Sequence, residues 1–307
     1  MVEYLARRTA RTLVILVLAS VAVFYSLRFA PGDPSGVALS PLALQEIRQA
    51  YRERLGLNKP IYLQYFTYLG NLARGNLGHS LINGTPIGEL FIHHGRNSLI
   101  LGLTALALSY AIGIPLGVLA AAHRNRPLDH AVMGLGALGM GIPNFWLALL
   151  LVYLFSAKLK WLPSAGCCGP KYLIMPAVVL AAEGTAVTMR MMRSSMLEQI
   201  NQDFVRTHRA YGLPEWKVLL FALRNALIPI VSLTGLRLGW LIGYTLIVET
   251  IFNWPGVGYL LVDSVLRRDY PVAQFFSLVL VLAVVLSSWL ADILYGVVDP
   301  RIRYARV

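Results

Sequence analysis

The chain has 307 residues, of which 57 % are hydrophobic and only 14 % charged, with a mean hydropathy of +0.61. Those values exclude an ordinary soluble domain and indicate an all-α membrane protein with several spans. A formal charge of +12 would suggest nucleic acid in a soluble chain, but here the basic residues flank apolar runs. Membrane topology accounts for them, and no nucleic-acid partner is expected.

In chain order, Arg7, Arg8 and Arg11 precede an apolar run over 13–29. The run is long for a signal peptide and no small-x-small cleavage site precedes Pro31, so it is expected to persist as a first span. Residues 41–55 have the pattern of an amphipathic helix, with Ser40 as cap and Pro41 at its first position. The stretch GLNKPIYLQYFTYLGNL then carries an apolar stripe of Tyr62, Tyr65, Phe66 and Leu69. Together these predict a small folded element over 31–96 resting on the outer face.

Five more spans are expected at 97–122, 128–155, 172–192, 227–252 and 273–298, each long enough to cross about 30 Å of hydrocarbon at about 1.5 Å per residue. Six spans put both termini on one side. The short segments on that side carry Arg124, Arg126, Arg190, Arg193, Arg206, Arg209, Lys217, Arg224, Arg301, Arg303 and Arg306 besides the N-terminal arginines. The opposite short loops carry only Lys158, Lys160, Lys171, Arg267 and Arg268. An excess of Lys and Arg marks the cytoplasm, so both termini are expected there. The expected division is 1–30 (tail and first span), 31–96 (outer insertion), 97–298 (five-helix core, with a cytoplasmic loop at 193–226) and 299–307 (cytoplasmic tail).

Glycines at 113, 117, 134, 136, 139, 141, 235, 239 and 243 are frequent within the predicted spans, and GLGALGMG supplies a small-xxx-small surface for close packing. Ile142-Pro143 should kink or break the third span. Glu183 and Arg237 lie within spans and could pair in the bundle. With Pro143 they are the candidates for a pathway or gate. Glu249 and Asp292 read as residues near the interface. His79, His93, His94, Cys167 and Cys168 are outer residues of ligand type, but adjacent pairs do not share a helix face and no metal site is expected.

The stretch on which this reading turns is DFVRTHRAYGLPEWKVLLFALRNALIP, 203–229. It lies between two apolar runs, yet it carries Asp203, Arg206, Arg209, Glu215, Lys217 and Arg224, so it must lie outside hydrocarbon. Phe204, Thr207, His208 and Tyr211 can share one helix face. Gly212 should stop that helix, Pro214 suits the first turn of another, and Trp216, Leu219, Leu220 and Leu223 repeat at helical spacing. The result is a short surface helix, a glycine break and a second amphipathic helix, shaped to be gripped by another protein. No GxxxxGK[ST], HExxH or GxSxG motif is present. The chain is therefore not expected to be an enzyme, and ATP-driven work would require a separate subunit.

MRMMRSSMLEQINQDFVRTHRAYGL followed by ALRNALIP resembles the EAA-type coupling loop of ABC importer permeases. More narrowly, the chain resembles the permeases for dipeptides, oligopeptides and nickel. The likeness extends through APGDP (30–34), LGLNKPIYLQY (55–65), GNLGHS (75–80), IPNFWLALLLV (142–152), LKWLP (159–163), ETIFNWPGVGYLLVDSVLRRDYPV (249–272) and DILYGVVDPRIR (292–303). It implies a type I importer fold in a bacterial inner membrane, with a homologous second permease, two ATPase subunits and an extracytoplasmic binding protein as partners. ATP and Mg would sit on the ATPases, with no cofactor on this chain. It further implies that Gly212 is the glycine of the coupling loop. The helix before it would then meet an ATPase through Asp203, Arg206, Thr207, Arg209, Ala210 and Leu213. Arg206-Thr207-His208 stands where the general pattern has Glu-Ala-Ala. The IPNFWLALLLV and LKWLP stretches lean toward the nickel branch. A self-contained channel or ion-coupled secondary transporter is the alternative; it would be expected to place several ionisable groups at mid-membrane.

Overall fold

The computed structural model describes residues 2–29, 58–167 and 169–298, with isolated positions at 49, 53 and 56. Side chains at 2–6, at 290–298 and at several positions between 232 and 244 are not described. The helix predicted over 41–55, Asp292 and the C-terminal tail therefore lie outside the described side chains, as do the surroundings of Gly235 and Gly239. The described residues form helices α1 (Val2–Phe29), α2 (Ile61–Ala73), α3 (Ile87–Ala122), α4 (Pro127–Gly141), α5 (Asn144–Leu151), α6 (Pro170–Ile200), α7 (Asp203–Ala210), α8 (Glu215–Ala226), α9 (Ile228–Ile251), α10 (Val257–Leu266) and α11 (Tyr270–Val298). No strand is present among them beyond a single bridge between His79 and Pro86.

Among the described residues four helices are long and apolar enough to cross a membrane: α1 from Arg7, α3, α6, and α11 to Trp289. The predicted third span is broken. α4 and the continuous segment Asn144–Lys158 meet at an angle of 100°, and counted as one bent span they make a fifth. The break falls at Ile142-Pro143, where Pro143 is extended (φ −61°, ψ 137°) and begins α5 as its N-cap. Proline lacks the amide that the helix would need there and excludes the preceding residue from helical geometry. Past Leu151 the helix widens into a π-helical turn, Val152–Lys158. The predicted fifth span is the 24-residue helix α9. Among the described residues four helices, or five with the bent pair as one, meet the length and apolarity of a span, against the six expected.

The chain divides into two compact units. The first comprises 1–98 and 255–286. In it α2 packs on the end of α1: Tyr65 stacks edge-on against Phe24 at 5.2 Å, and its hydroxyl meets Ser20 Oγ at 2.7 Å. Arg28 lies 3.9 Å over the Phe24 ring and donates to Gln64 and Gln274. The stripe expected on α2 is rotated. Tyr65 is buried and Tyr68, Leu69 and Leu72 are half-buried, whereas Tyr62 and Phe66 point outward. Positions i, i+3, i+4 and i+7 from Tyr65 form the inward face, so the phase follows the two aromatics, Tyr65 and Tyr68, that meet Phe24 of α1. The rest of this unit is built on Ile87, Val257, Val272, Phe275 and Phe276. The buried Asp269 holds the 80–81 turn by accepting from the Ser80 hydroxyl and the Leu81 amide.

The second unit, 99–254 and 287–307, is organised on α6. Half of the most apolar window of α6 is buried within the chain, against 6 % for that of α1. Close backbone approach makes this possible. A Cβ on Gly117 of α3 would lie 2.6 Å from the Met189 carbonyl oxygen, and one on Gly184 of α6 would lie 2.5 Å from Ser109 Oγ. Of the GLGALGMG surface, Gly136 and Gly139 face α6, whereas Gly134 and Gly141 meet nothing within 4 Å. Leu101, Ala105, Ala148, Val179, Leu180, Val248, Phe252 and Trp254 form one apolar cluster of this unit. Glu249, two residues before the end of α9, is fully buried within the chain, and Val248 and Thr245 on the same helix are buried with it.

These contacts predict a contrast between two glycines. Gly117→Val should destabilise the chain by about 1–3 kcal/mol, because the clash is with backbone and cannot be relieved by a rotamer change. Gly134→Val should leave the stability of the isolated chain unchanged. Thermal midpoints of the two purified variants check this.

The polar loop between α6 and α9

The loop begins where α6 ends at Ile200. Gln202 is extended (φ −76°, ψ 155°), and α7 then runs for eight residues, Asp203–Ala210, with Asp203 in its first turn and His208 and Arg209 in its last. That order suits the helix dipole at both ends. α7 terminates in a full Schellman motif. The Gly212 amide donates to the Arg209 carbonyl at 2.9 Å and the Leu213 amide to the His208 carbonyl at 3.3 Å. Gly212 has φ +73°, the left-handed geometry that a side chain disfavours by about 1–2 kcal/mol. Pro214 is extended and caps α8.

Beneath the loop is an apolar cluster of Met192, Met196, Val205, Val218, Ala222, Ala226 and Ile230, with Phe204, Leu213, Leu219 and Leu223 packed at its edge. Val205 has no exposed surface. The buried stripe therefore differs from the one expected. On α7 it is Phe204, Val205 and His208, with Thr207 and Tyr211 outward; Tyr211 is 80 % exposed. On α8 it is Val218, Ala222 and Ala226, with Trp216 and Leu220 outward. Residues no larger than valine at i, i+4 and i+8 let the α8 backbone approach α6, with Leu219 and Leu223 at the margin and Trp216, Leu220 and Phe221 turned away. The His208 ring lies 4.5 Å from that of Phe221 and 6.1 Å from that of Phe204. An aromatic thus fills the place of a small residue of the general motif.

Of the residues singled out for docking, Asp203, Arg206, Thr207, Arg209, Ala210 and Gly212 are exposed, and Leu213 is half-buried at the edge of the cluster. Arg206 and Asp203 form a loose ion pair at 3.4 Å, with side chains 74 % and 95 % exposed. Such a pair holds its partners weakly and leaves them open to other contacts. Arg209 instead reaches across the glycine break to Glu215, at 3.2 Å through Nε and 2.5 Å through Nη2. The Arg209 hydrogen bonds hold the Glu215 carboxyl below its ordinary value. The depressed carboxyl pKa gives a link that is complete at neutral pH and is lost on acidification through that lowered value.

Arg237 of α9 donates through Nη1 to the Gly184 carbonyl at 2.7 Å and to Thr188 Oγ1 at 2.8 Å on α6. Nearby, Tyr110 and Thr234 share a hydrogen bond of 2.8 Å. The expected Glu183–Arg237 ion pair is absent from the described salt bridges. The guanidinium takes the Gly184 carbonyl instead, shared with the Thr188 hydroxyl. Glu183, Arg237 and Pro143 are not brought into one site by any described contact. No group of three His, Cys, Asp or Glu assembles among the described residues, and Cys167 is disulfide-bonded, which removes it as a thiolate ligand.

Residues 113–304 match the family of binding-protein-dependent transport system inner membrane components, and residues 1–88 match that family's N-terminal region. The oligopeptide transport system permease protein AppB of Bacillus subtilis (strain 168) is 40 % identical over 316 residues, covering 99 % of this chain and all of that protein. The glutathione transport system permease protein GsiC of Escherichia coli (strain K12) is 37 % identical over 305 residues, with 99 % and 100 % covered. Matches of that extent cover both units of the fold and the whole of the loop between α6 and α9. The chain belongs to the binding-protein-dependent inner membrane components, the permease subunits of ABC importers.

Proposed function

We propose that this permease imports short peptides, di- to oligopeptides or glutathione-like, and that it is driven through α7 by ATPase subunits on the cytosolic side. The observation that carries the reading is the construction of the loop. Its inner face is fixed by Val205, His208 and Leu213, while charged and small groups on its outer face are left to a partner. A full set of partners comprises a homologous second permease, two ATPases holding ATP and Mg, and an extracytoplasmic binding protein that delivers solute. The termini and the loop face the cytosol, in line with the distribution of Lys and Arg.

ATP binding draws the ATPases together, α7 is carried with them, and α6 passes the displacement into the membrane. Alternating access then needs two packed arrangements of similar energy, and the 100° bend after α4 is where the core can change shape without breaking a continuous helix. The relatives are named for oligopeptide and glutathione transport, which favours peptides over the nickel branch that two sequence stretches suggested.

Two measurements test this. Gly212→Pro replaces φ +73° with a residue fixed near −65° and removes the amide of the Schellman motif. The variant should insert and assemble but lose ATP-driven uptake, and normal uptake would contradict the coupling role. In proteoliposomes holding the full complex, a radiolabelled tetrapeptide or glutathione should accumulate with ATP and nickel should not. This chain alone should move none of them, whereas a self-contained channel or secondary transporter would.

A further inference from the structure

Outside the loop, the described ion pair with the least exposed carboxylate joins Asp129 to Arg193. Asp129, in the first turn of α4, is 1 % exposed and Arg193, near the end of α6, is 25 % exposed. The contact is bidentate: Nε to Oδ1 and Nη2 to Oδ2, each at 2.6 Å. Asp129 Oδ2 also accepts from the amide of Asn125 at 2.9 Å. Asn125 lies in the turn that joins α3 to α4 and is itself held at φ +59°. One carboxylate therefore binds α6, the first turn of α4 and the turn after α3.

The same three helices meet again just beside it. Ala120, Val132 and Met189 form a buried cluster with Leu116 and Met133, and Gly117 and Gly136 bring α3 and α4 against Met189 of α6. The pair also has a telling position along the chain. Arg193 precedes the end of α6 at Ile200 by about 10 Å of helix, and Asp129 precedes the bend after Gly141 by about 18 Å, at about 1.5 Å per residue. It lies between α7 and the bend.

An ion pair with a buried carboxylate is a poor device for stability alone, since apolar packing of equal volume often does as well or better. What a bidentate arginine–carboxylate contact supplies is fixed relative geometry. We propose that Asp129 and Arg193 are positioning residues that lock α4 and the end of α3 to α6, so that displacement of α7 reaches the bend at Ile142-Pro143 as the movement of one body. The inference rests on the proposed coupling role of α7, and its test separates the two.

Spin labels on Leu138→Cys of α4 and Glu198→Cys of α6, both exposed positions, in a chain with Cys167 and Cys168 replaced by Ser, report the distance within that body. In the assembled complex the distance should be the same with and without ATP. A change on ATP binding in the otherwise native chain overturns the proposal, whatever solute the importer carries. Asp129→Asn and Arg193→Gln should broaden the distance. They should also lower tetrapeptide uptake per ATP hydrolysed by about 5- to 150-fold, the range typical of coupling between sites, with ATP turnover retained. The exchanged pair, Asp129→Arg with Arg193→Asp, should recover part of the loss, and Arg193→Lys should fall between. Equal losses of ATP turnover and uptake, with an unchanged distance, would assign the pair to folding alone. A native complex that hydrolyses ATP without tetrapeptide uptake would count against the peptide reading, while the distance measurement still decides the tie.

Discussion

Val205 sits fully buried against Met192 and Met196 at the end of α6, and the rest of the loop takes its form from that contact. A segment rich in charge cannot enter hydrocarbon, yet under the proposed coupling role a loop free in water could transmit no displacement. Burying one face of α7 and of α8 on the end of a long helix resolves the conflict: the loop is solvated on its outer side and rigid on its inner side. The Schellman termination at Gly212 and the Arg209–Glu215 bridge then fix the angle at which α8 leaves α7.

α6 is the element that makes this contact useful. It is the most buried of the candidate spans, and glycines on α3 and α4 allow neighbouring backbones to approach it closely. Its central stretch accepts Arg237 through the Gly184 carbonyl and the Thr188 hydroxyl, and no Glu183–Arg237 ion pair is among the described salt bridges.

Much of this was legible in the sequence because it depends on local signals. Apolar run length, the proline at 143, the glycine at 212 and the polarity of 203–229 each dictate backbone behaviour within a few residues of themselves. What the sequence did not carry was helix phase. The stripes on α2, α7 and α8 each came out turned, because the buried face was decided by a partner far along the chain: Phe24 for Tyr65, Met196 for Val205 and the backbone of α6 for Ala222. On α8 Trp216, Leu220 and Phe221 point outward while Leu219 and Leu223 reach only the margin of the cluster, since close approach rewards small side chains. The burial of Glu249 is unsignalled for a related reason, as contact within a bundle does not follow from distance to the end of a span. Asp129 carries little signal in the sequence: it is a single acid near Pro127 in an otherwise basic turn.

The most direct measurement is a contact map of α7 in the working importer. A photo-crosslinking amino acid placed at Arg206, whose side chain is 74 % exposed, should yield a covalent adduct with an ATPase subunit in intact cells. The same position, substituted by cysteine, should be inaccessible to a membrane-impermeant thiol reagent added outside. Labelling from the outside, or ATP-driven uptake with no ATPase adduct at any exposed position of α7, would contradict the account.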